Sequence, residues 1–368
     1  MKAAQKPLHC KLIVHHLLGG GVERVLLQLA ESMTALGHNA EIILLENMVG
    51  VDVPAHIKVT ALGGKMRGGF FGRTGIGKWR RARALKKYLR GENADLVVAS
   101  IPYTHEVCHL AKLPNLWYRS GIALCMLVEG LETLSKCRAA RRVRRYRRIY
   151  NGASMITLAK EAEKDLARLG IAPKTVRMIE NPFDFAAIRK RAAAFSPEET
   201  DYIVHVSRFE FQKRHDVLLH AYAESGVPQK LLLLGDAENP HGEKARRLVA
   251  ELGIQERVIF KGFVRNPYPF IKNARALVLS SQYEGSPGVL VEALILGTPA
   301  VSTDCPTGPN EILTGELAAF LSPVGDTGAL AENIKKALAN PPKIAAHHIE
   351  KFDAEVSARK YLALARGN

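Results

Sequence analysis

Two α/β domains, each a doubly wound parallel sheet, are what this sequence predicts, and three observations predict them. The chain has 368 residues, enough for two ordinary domains. Short apolar runs alternate with helical patterns from end to end, the mark of successive βαβ units. Runs such as Leu231–Leu234 and Ala276–Leu279 are apolar without alternation, as strands covered on both faces are. In the first half the strands fall at Leu12–Leu18, Ala40–Leu45, Lys58–Leu62, Leu96–Ser100, Ala123–Val128, Met155–Ala159 and Val176–Ile179, with the clearest helix at Val22–Leu36. In the second half they fall at Tyr202–Ser207, Lys230–Leu234, Val258–Phe260, Ala276–Ser280 and Ala300–Thr303. Helices there occupy His215–Glu224, Glu243–Leu252 and Val289–Leu296. The join lies between Pro182 and Thr200: Asn181-Pro182 stops a strand, and Ala192–Thr200 is small, polar and without period. The expected domains are residues 1–185 and 200–343. A tail, 344–368, is helical over Ile344–Arg366 and free to cross back to the first domain.

Composition narrows the class. Apolar residues are 47% and charged residues 24%, which excludes disorder and a disulfide miniprotein. No apolar run approaches the ~20 residues that span a bilayer. The stretch Met1–Gly19 is broken by Pro7, Lys11, His15 and His16 and does not read as a signal peptide. Cys10, Cys108, Cys125, Cys137 and Cys305 are odd in number and scattered, which fits a reducing compartment and no zinc cluster. A cytoplasmic protein is expected, free or resting on a membrane surface.

The formal charge is +16, and it is lopsided. Residues 1–180 hold 30 Lys and Arg against 14 Asp and Glu, whereas residues 181–368 hold 22 of each. Two helical segments, 78–90 and 138–148, concentrate the excess, with Trp79, Ala82, Leu85, Tyr88 and Leu89 repeating on the first and Val143, Tyr146 and Ile149 on the second. Such helices suit anionic lipid head groups. A solvated basic face is the plainer reading, and nucleic acid is not expected because no binding-module signature accompanies the charge.

In open α/β sheets ligands bind at the carboxyl ends of the strands, so residues that follow strands matter most. Gly19-Gly20-Gly21 follows the first strand and opens a helix. Glycines let backbone N–H groups approach a phosphate, although a tight turn without ligand explains them equally well. The spacing is neither G-x-G-x-x-G nor a P-loop. Arg208 and Lys213 lie on the loop after Tyr202–Ser207, where a guanidinium fork and a point charge suit a diphosphate without a metal. The strongest segment is Tyr283-Glu284-Gly285-Ser286-Pro287-Gly288-Val289, leading into a helix that carries Glu292. The loop presents free N–H groups and a positive helix end, with proline suited to the first turn. Glu284 and Glu292 are spaced to bracket a nucleotide sugar and to accept hydrogen bonds from vicinal hydroxyls.

Taken together, Glu284-x7-Glu292, the pair Arg208 and Lys213, the glycine loop at 19–21 and Thr307-Gly308-Pro309-Asn310-Glu311 resemble a retaining family 4 glycosyltransferase. The resemblance implies the GT-B fold, two Rossmann-like domains facing a central cleft. It implies that Arg208 and Lys213 hold the donor diphosphate as leaving group. Glu284 would bind the transferred sugar and Glu292 the ribose. Gly285, Ser286, Pro287, Gly288 and Val289 would line the sugar–phosphate pocket, and Gly20 and Gly21 would face the phosphates. The base would sit near Phe263 and Val264. Members often carry a histidine after a first-domain strand. Here Gly130 stands at the aligned position, with Glu129 and His105 as candidate replacements.

The function expected on this resemblance is transfer of a hexose or N-acetylhexosamine, with retention, from a nucleotide-diphosphate sugar to a lipid-linked or lipopolysaccharide-type acceptor. A UDP-sugar is favoured, with no metal and no cofactor. The basic helices would rest on the inner face of the plasma membrane. A GT-B-type nucleotide-sugar epimerase is the alternative among enzymes. A non-catalytic anion- or nucleic-acid-binding protein is the alternative outside them, and it leaves Glu284, Glu292 and the loop between them unused.

Overall fold

The structure, a computed structural model, describes residues 6–63, 75–121 and 123–366. It divides into two compact units. One runs to Phe183 and takes the chain back from Phe352; the other is Asp184–Lys351.

The first unit opens with β1 (His9–Val14), α1 (Gly21–Ala35), β2 (Asn39–Leu44), β3 (Lys58–Ala61), α2 (Gly75–Leu89) and β4 (Leu96–Ser100). It continues with α3 (Pro102–Ala111), β5 (Leu116–Ser120), α4 (Leu124–Glu132), α5 (Lys136–Tyr150), β6 (Ser154–Thr157), α6 (Glu161–Arg168) and β7 (Thr175–Met178). Its seven parallel strands run in the order β3-β2-β1-β4-β5-β6-β7, so the winding reverses between β1 and β4. Such a reversal leaves a crevice beyond the strand ends. Leu12, Val98 and Ile156 on one sheet face are fully buried with Leu26, Leu29, Ala30 and Met33, the apolar stripe of α1. Ile13, Ala99 and Met155 on the other face pack with α2, α3 and α5.

The second unit holds α7 (Phe185–Ala192), β8 (Tyr202–Val206), α8 (His215–Ser225), β9 (Lys230–Leu234), α9 (Pro240–Glu251), β10 (Val258–Gly262) and α10 (Tyr268–Asn273). After these come β11 (Ala276–Leu279), α11 (Gly288–Leu296), β12 (Ala300–Thr303), α12 (Pro309–Ile312), β13 (Leu321–Ser322), α13 (Thr327–Ala339) and α14 (Ala346–Ile349). Its parallel sheet runs β10-β9-β8-β11-β12-β13 and reverses between β8 and β11. The inner strands β8, β9, β11 and β12 are buried on both faces, as their unbroken apolar runs require, whereas the edge strand β10 is largely half-buried.

Phe183 and Asp353 pair as a parallel bridge where the chain leaves and re-enters the first unit. The last helix, α15 (Ala354–Leu364), then packs against α1, burying Ala358, Tyr361 and Leu362.

The structure departs from the sequence expectation in definite places. The first strand ends at Val14 rather than Leu18, and Leu17 instead bridges Val49. The run Ala123–Val128 is not a strand: it forms α4, and the strand is β5, seven residues earlier at its start. A short unbroken apolar run fits a buried helix as well as a buried strand, whereas Leu116-Trp-Tyr carries the aromatic residues that strands favour. The join region contains a helix, α7, capped by Asp184. The tail is not one helix: Asp353 breaks it and caps α15 through the N–H groups of Glu355 and Val356. Trp79 is 55% exposed, off the apolar stripe of α2, and Arg81 takes a buried place instead.

Candidate functional site

Loops after β8 and β11 meet in the second unit. Gln212 donates through Nε2 to the Tyr283 carbonyl at 2.7 Å, and the Gln282 N–H donates to the Gln212 carbonyl at 2.8 Å. Ser280 Oγ donates to the Lys213 carbonyl at 2.8 Å. This stitching sets Lys213 beside Glu284. Lys213 Nζ donates to Glu284 Oε1 at 2.6 Å, and Ser281 Oγ donates to the same oxygen at 2.6 Å. Glu284 is buried at 7% exposure, yet Oε2 accepts no hydrogen bond from the described residues. The carboxylate is held by one oxygen, and the other has no partner among the described residues.

Gly285, Ser286 and Pro287 follow directly. Pro287 occupies the N-cap of α11 rather than its first turn, in extended conformation and without a side-chain cap. Among the described residues nothing accepts from the N–H groups of Gly288 and Val289, so the helix presents open donors and the positive end of its dipole. The loop is supported from below by Thr307, whose Oγ1 donates to the Glu284 carbonyl, and by the Glu284 N–H, which donates to the Pro306 carbonyl at 3.3 Å. Gly308 has φ +126°, and a Cβ there would lie 2.7 Å from Pro287 Cδ. Glycine is required at that contact. One turn into α11, Glu292 accepts from Tyr268 Oη at 3.2 Å.

Other expected donor residues are less assembled. The Arg208 side chain is 77% exposed and paired with Glu210 at 2.8 Å, not with Lys213 or Glu284. Phe263 is 75% exposed just past β10, where Gly262 turns with φ +70°, and Val264 is half-buried beside it. Behind the loop, burial pushes His205 down to about 4 and holds it neutral; its Nδ1 donates to the Val278 carbonyl at 2.8 Å and its Nε2 faces Ser207 Oγ at 2.7 Å.

In the first unit Gly20 is the N-cap of α1, in extended conformation, and Gly21 has open space where a Cβ would go. Gly130 and Glu129 correct the expectation, because both lie within α4 and neither follows a strand. Glu129 is on the surface, paired with Arg168 at 3.2 Å. His105 follows β4 on α3 but has both ring nitrogens engaged. Its Nε2 lies 3.0 Å from the Ala99 carbonyl, which only accepts, so Nδ1 accepts from Tyr150 Oη at 2.8 Å. Burial pushes its pKa down to about 4. Such a histidine builds the core and has no nitrogen left for proton transfer.

The basic helices carry buried as well as exposed cations. Arg81 is bonded to Glu46 and Tyr103, while Lys78 and Arg145 both grip Glu106, at 2.6 and 3.1 Å. Arg80, Arg83, Lys86 and Lys87 on α2 and Arg90 just after it, with Arg138, Arg141, Arg144 and Arg148 on α5, remain exposed. Ile76 and Leu134, each 74% exposed, lie among them in sequence.

Two family models tile the chain. The model of "Glycosyltransferase Family 4" matches residues 19–187, and that of "Glycosyl transferases group 1" matches residues 187–353. The chain belongs to the group 1, family 4 glycosyltransferases. Among curated relatives, the lipopolysaccharide 1,6-galactosyltransferase of Escherichia coli (strain K12) is 30% identical over 192 residues, 50% of this chain and 52% of that protein. The chain spans about half or less of the first curated relatives it matches, between 28% and 54% of their lengths. Among solved structures, the lipopolysaccharide outer core galactosyltransferase WaaB in its apo form superposes with a TM-score of 0.72 at 20% identity, covering 98% of this chain and 99% of that one. Anabaena Alr3699/HepE in complex with UDP and glucose gives 0.70 at 19% identity, covering 98% of each chain. The fold is GT-B.

Sequence reasoning missed several residues of this chain. His15 and His16 follow β1 directly, with His15 Nε2 3.0 Å from Glu46 Oε2 and His16 Nδ1 3.2 Å from Glu23 Oε1. Burial lowers the His15 pKa against the pull of Glu46. Placing the end of β1 at Val14 would have found both. Arg119, at the end of β5, was missed with its strand. Among the described residues, Glu316, His347 and His348 bring potential metal-ligating atoms within 4.8 Å. His348 Nδ1 accepts from the Ala345 N–H at 3.0 Å, so its proton sits on Nε2, the tautomer that offers a metal no lone pair.

Proposed function

We propose that this protein is a retaining glycosyltransferase. It moves a hexose or N-acetylhexosamine from a nucleotide-diphosphate sugar, a UDP-sugar by preference, to a lipopolysaccharide-type or lipid-linked glycan acceptor. One observation carries the reading: Lys213, Ser281 and Glu284 are bonded together at the uncapped start of α11. Cations and free N–H groups at a helix start suit a diphosphate, and an open carboxylate oxygen beside them suits sugar hydroxyls. Glu292 would accept from the ribose, and the base would lie against Phe263 and Val264. Arg208 would join the phosphates by leaving Glu210.

In the reaction the bond from the anomeric carbon to the β-phosphate oxygen breaks. The acceptor oxygen bonds to that carbon on the same face, and its proton passes to the departing phosphate. Negative charge grows on the diphosphate in the transition state, where fixed donors act most strongly. Because this chain's own donors meet that charge, transfer would not need a divalent ion. The similarity to a lipopolysaccharide galactosyltransferase and to a fold neighbour solved with UDP and glucose supports donor and acceptor class. The exposed cations of α2 and α5, with Ile76, Trp79 and Leu134, support an anionic membrane surface as the place of work.

The deciding experiment is a binding and transfer screen. UDP-, GDP- and ADP-sugars are tested for thermal stabilisation, and the stabilising sugars are then tested with lipopolysaccharide core and polyprenyl-diphosphate glycan acceptors. Stabilisation by UDP and transfer with retained anomeric configuration, undisturbed by EDTA, is expected. No stabilisation by any nucleotide sugar overturns the reading.

A further inference from the structure

We propose that Arg119 is the floor of an anion-binding subsite at the carboxyl edge of the first-unit sheet, which accepts one oxygen of a carboxylate or phosphate group. Arg119 is the fourth residue of β5 and is 2% exposed, among the largest fully buried side chains of the molecule. Its neighbours are neutral. Nε donates to Tyr361 Oη at 3.1 Å, and Nη2 donates to Asn181 Oδ1. Nη1 is buried and has no hydrogen-bond partner among the described residues. No carboxylate pairs with Arg119 among the described residues, and the nearby Glu180 carboxylate is taken by Lys360 at 2.5 Å.

Guanidinium groups keep their charge in proteins, so this one cannot escape burial by losing a proton. A buried charge with an unfilled donor is costly unless something compensates it. The structure gives Nη1 a direction in which compensation can come. It opens on a small pocket lined by Val22, Ile101, Pro102, His105, Gly121 and Leu124. The room there is about that of one water molecule, enough for a single oxygen of a larger group whose remainder lies outside. Beside Arg119 itself, the polar walls are Ser120, a neutral hydroxyl residue, and His105, which is neutral and engaged by Ala99 and Tyr150. None of these walls repels an anion. Val22 belongs to the first turn of α1, a helix of 15 residues whose N-cap Gly20 supplies no side chain. The one acid of that turn, Glu23, faces His16.

The position also has a topological reason. β5 adjoins β4, at whose junction with β1 the winding reverses, so the pocket lies at the strand ends where open α/β sheets bind ligands. Gly121 follows β5 directly, two residues after Arg119, whereas Gly130, where the resemblance placed a histidine, lies inside α4. Within the proposed function the anionic group belongs to the acceptor. That assignment rests on that function; the anion site itself does not.

The test is titration calorimetry of the full chain with inorganic phosphate and, separately, with acetate, in a zwitterionic buffer at low salt. Wild type is compared with Arg119→Gln, Gly121→Ala and Lys213→Ala. The alanine methyl at 121 would sit 3.3 Å from Arg119 Nη1 and 3.4 Å from Leu158 Cδ1, so it fills the pocket while keeping the charge and asking little of the fold. Lys213→Ala reports any phosphate bound in the second unit. The expected result is loss of about tenfold or more in affinity in both Arg119→Gln and Gly121→Ala, with the signal retained in Lys213→Ala. Binding of phosphate alone assigns a phosphorylated ligand, and binding of acetate alone assigns a carboxylate. Anion binding that is absent from wild type, unchanged in Gly121→Ala, or lost only in Lys213→Ala overturns the proposal. UDP is titrated into each protein as well. Normal UDP binding with no first-unit anion site removes this inference and leaves the donor reading intact; the converse result does the opposite.

Discussion

Glu284 and Lys213 should behave energetically as one object, and a double-mutant cycle measures it. The perturbations are Glu284→Gln, Lys213→Met and both together. The charged atoms are 2.6 Å apart, with side chains 8% and 16% exposed. Removing one partner of a buried pair costs about 3–5 kcal/mol because the other charge is stranded. Water reaches the lysine in part, which trims the expected loss to about 2–3 kcal/mol for each single change. Glutamine at 284 can still accept from Ser281, so the loss reports charge more than a missing hydrogen bond. In the double variant no charge is stranded, and the loss should be smaller than the sum of the singles by about 1–2 kcal/mol. Both tryptophans, Trp79 and Trp117, lie in the first unit, so tryptophan fluorescence is blind to this change. Hydrogen exchange of peptides covering β8 and β11, followed by mass spectrometry in rising urea, reads the second unit directly. Strictly additive single effects would refute the view that the two side chains form a unit.

Four further outcomes follow from the same geometry. Lys213→Ala should lower the turnover number about 10²–10³-fold at saturating donor, as loss of a transition-state donor does; steady-state kinetics with unchanged turnover would remove Lys213 from that role. Gly308→Ala should weaken UDP binding about tenfold or more, since a left-handed φ costs a side chain about 1–2 kcal/mol and the methyl displaces Pro287 from under the loop; calorimetry with wild-type affinity would show that the loop tolerates the shift. His105 and His205 are held neutral, each at about 4 when folded. Unfolded, each titrates near about 6.5, so the unfolded state binds more protons and stability falls as pH drops from about 6.5 to about 4, by about 3 kcal/mol per histidine. Urea midpoints between those limits should fall less steeply in His205→Gln, and equal slopes would refute the assignment. Vesicles containing anionic lipid should pellet the protein at low salt and release it at high salt, and Arg138, Arg141, Arg144 and Arg148 changed together to Glu should abolish pelleting; retention of the variant on vesicles would move the contact off α5.

How much of this was legible beforehand depended on which signal each element carried. Five of the six second-unit strands were read nearly to the residue, because runs such as Lys230–Leu234 are continuous, apolar and closed by turn residues, while the two-residue edge strand β13 is too short to carry that signal. The Glu284 loop was legible because glycine, proline and acids cluster just after a buried strand. Its internal bonding was not: nothing in the spacing says that Lys213 and Ser281 share one oxygen of Glu284. In the first unit the signal failed where apolarity has no period. Leu124-Cys-Met-Leu-Val fits helix or strand equally, and choosing strand hid both β5 and Arg119. Charge was misread in a similar way. Arg81 and Lys78 look like two more members of a basic face, yet Glu46 and Glu106, distant in sequence, draw them inward.

The return of the chain to its starting unit sets an order of events during translation. Ala358, Tyr361 and Leu362 are the last pieces of the core around α1, and Tyr361 is the partner of Arg119 Nε. None of them leaves the ribosome until after the whole second unit, Asp184–Lys351, has been made. The half of the protein made first is therefore the half completed last, and until α15 arrives the nascent chain must carry an uncovered flank on α1 while the unit made second can already close on itself.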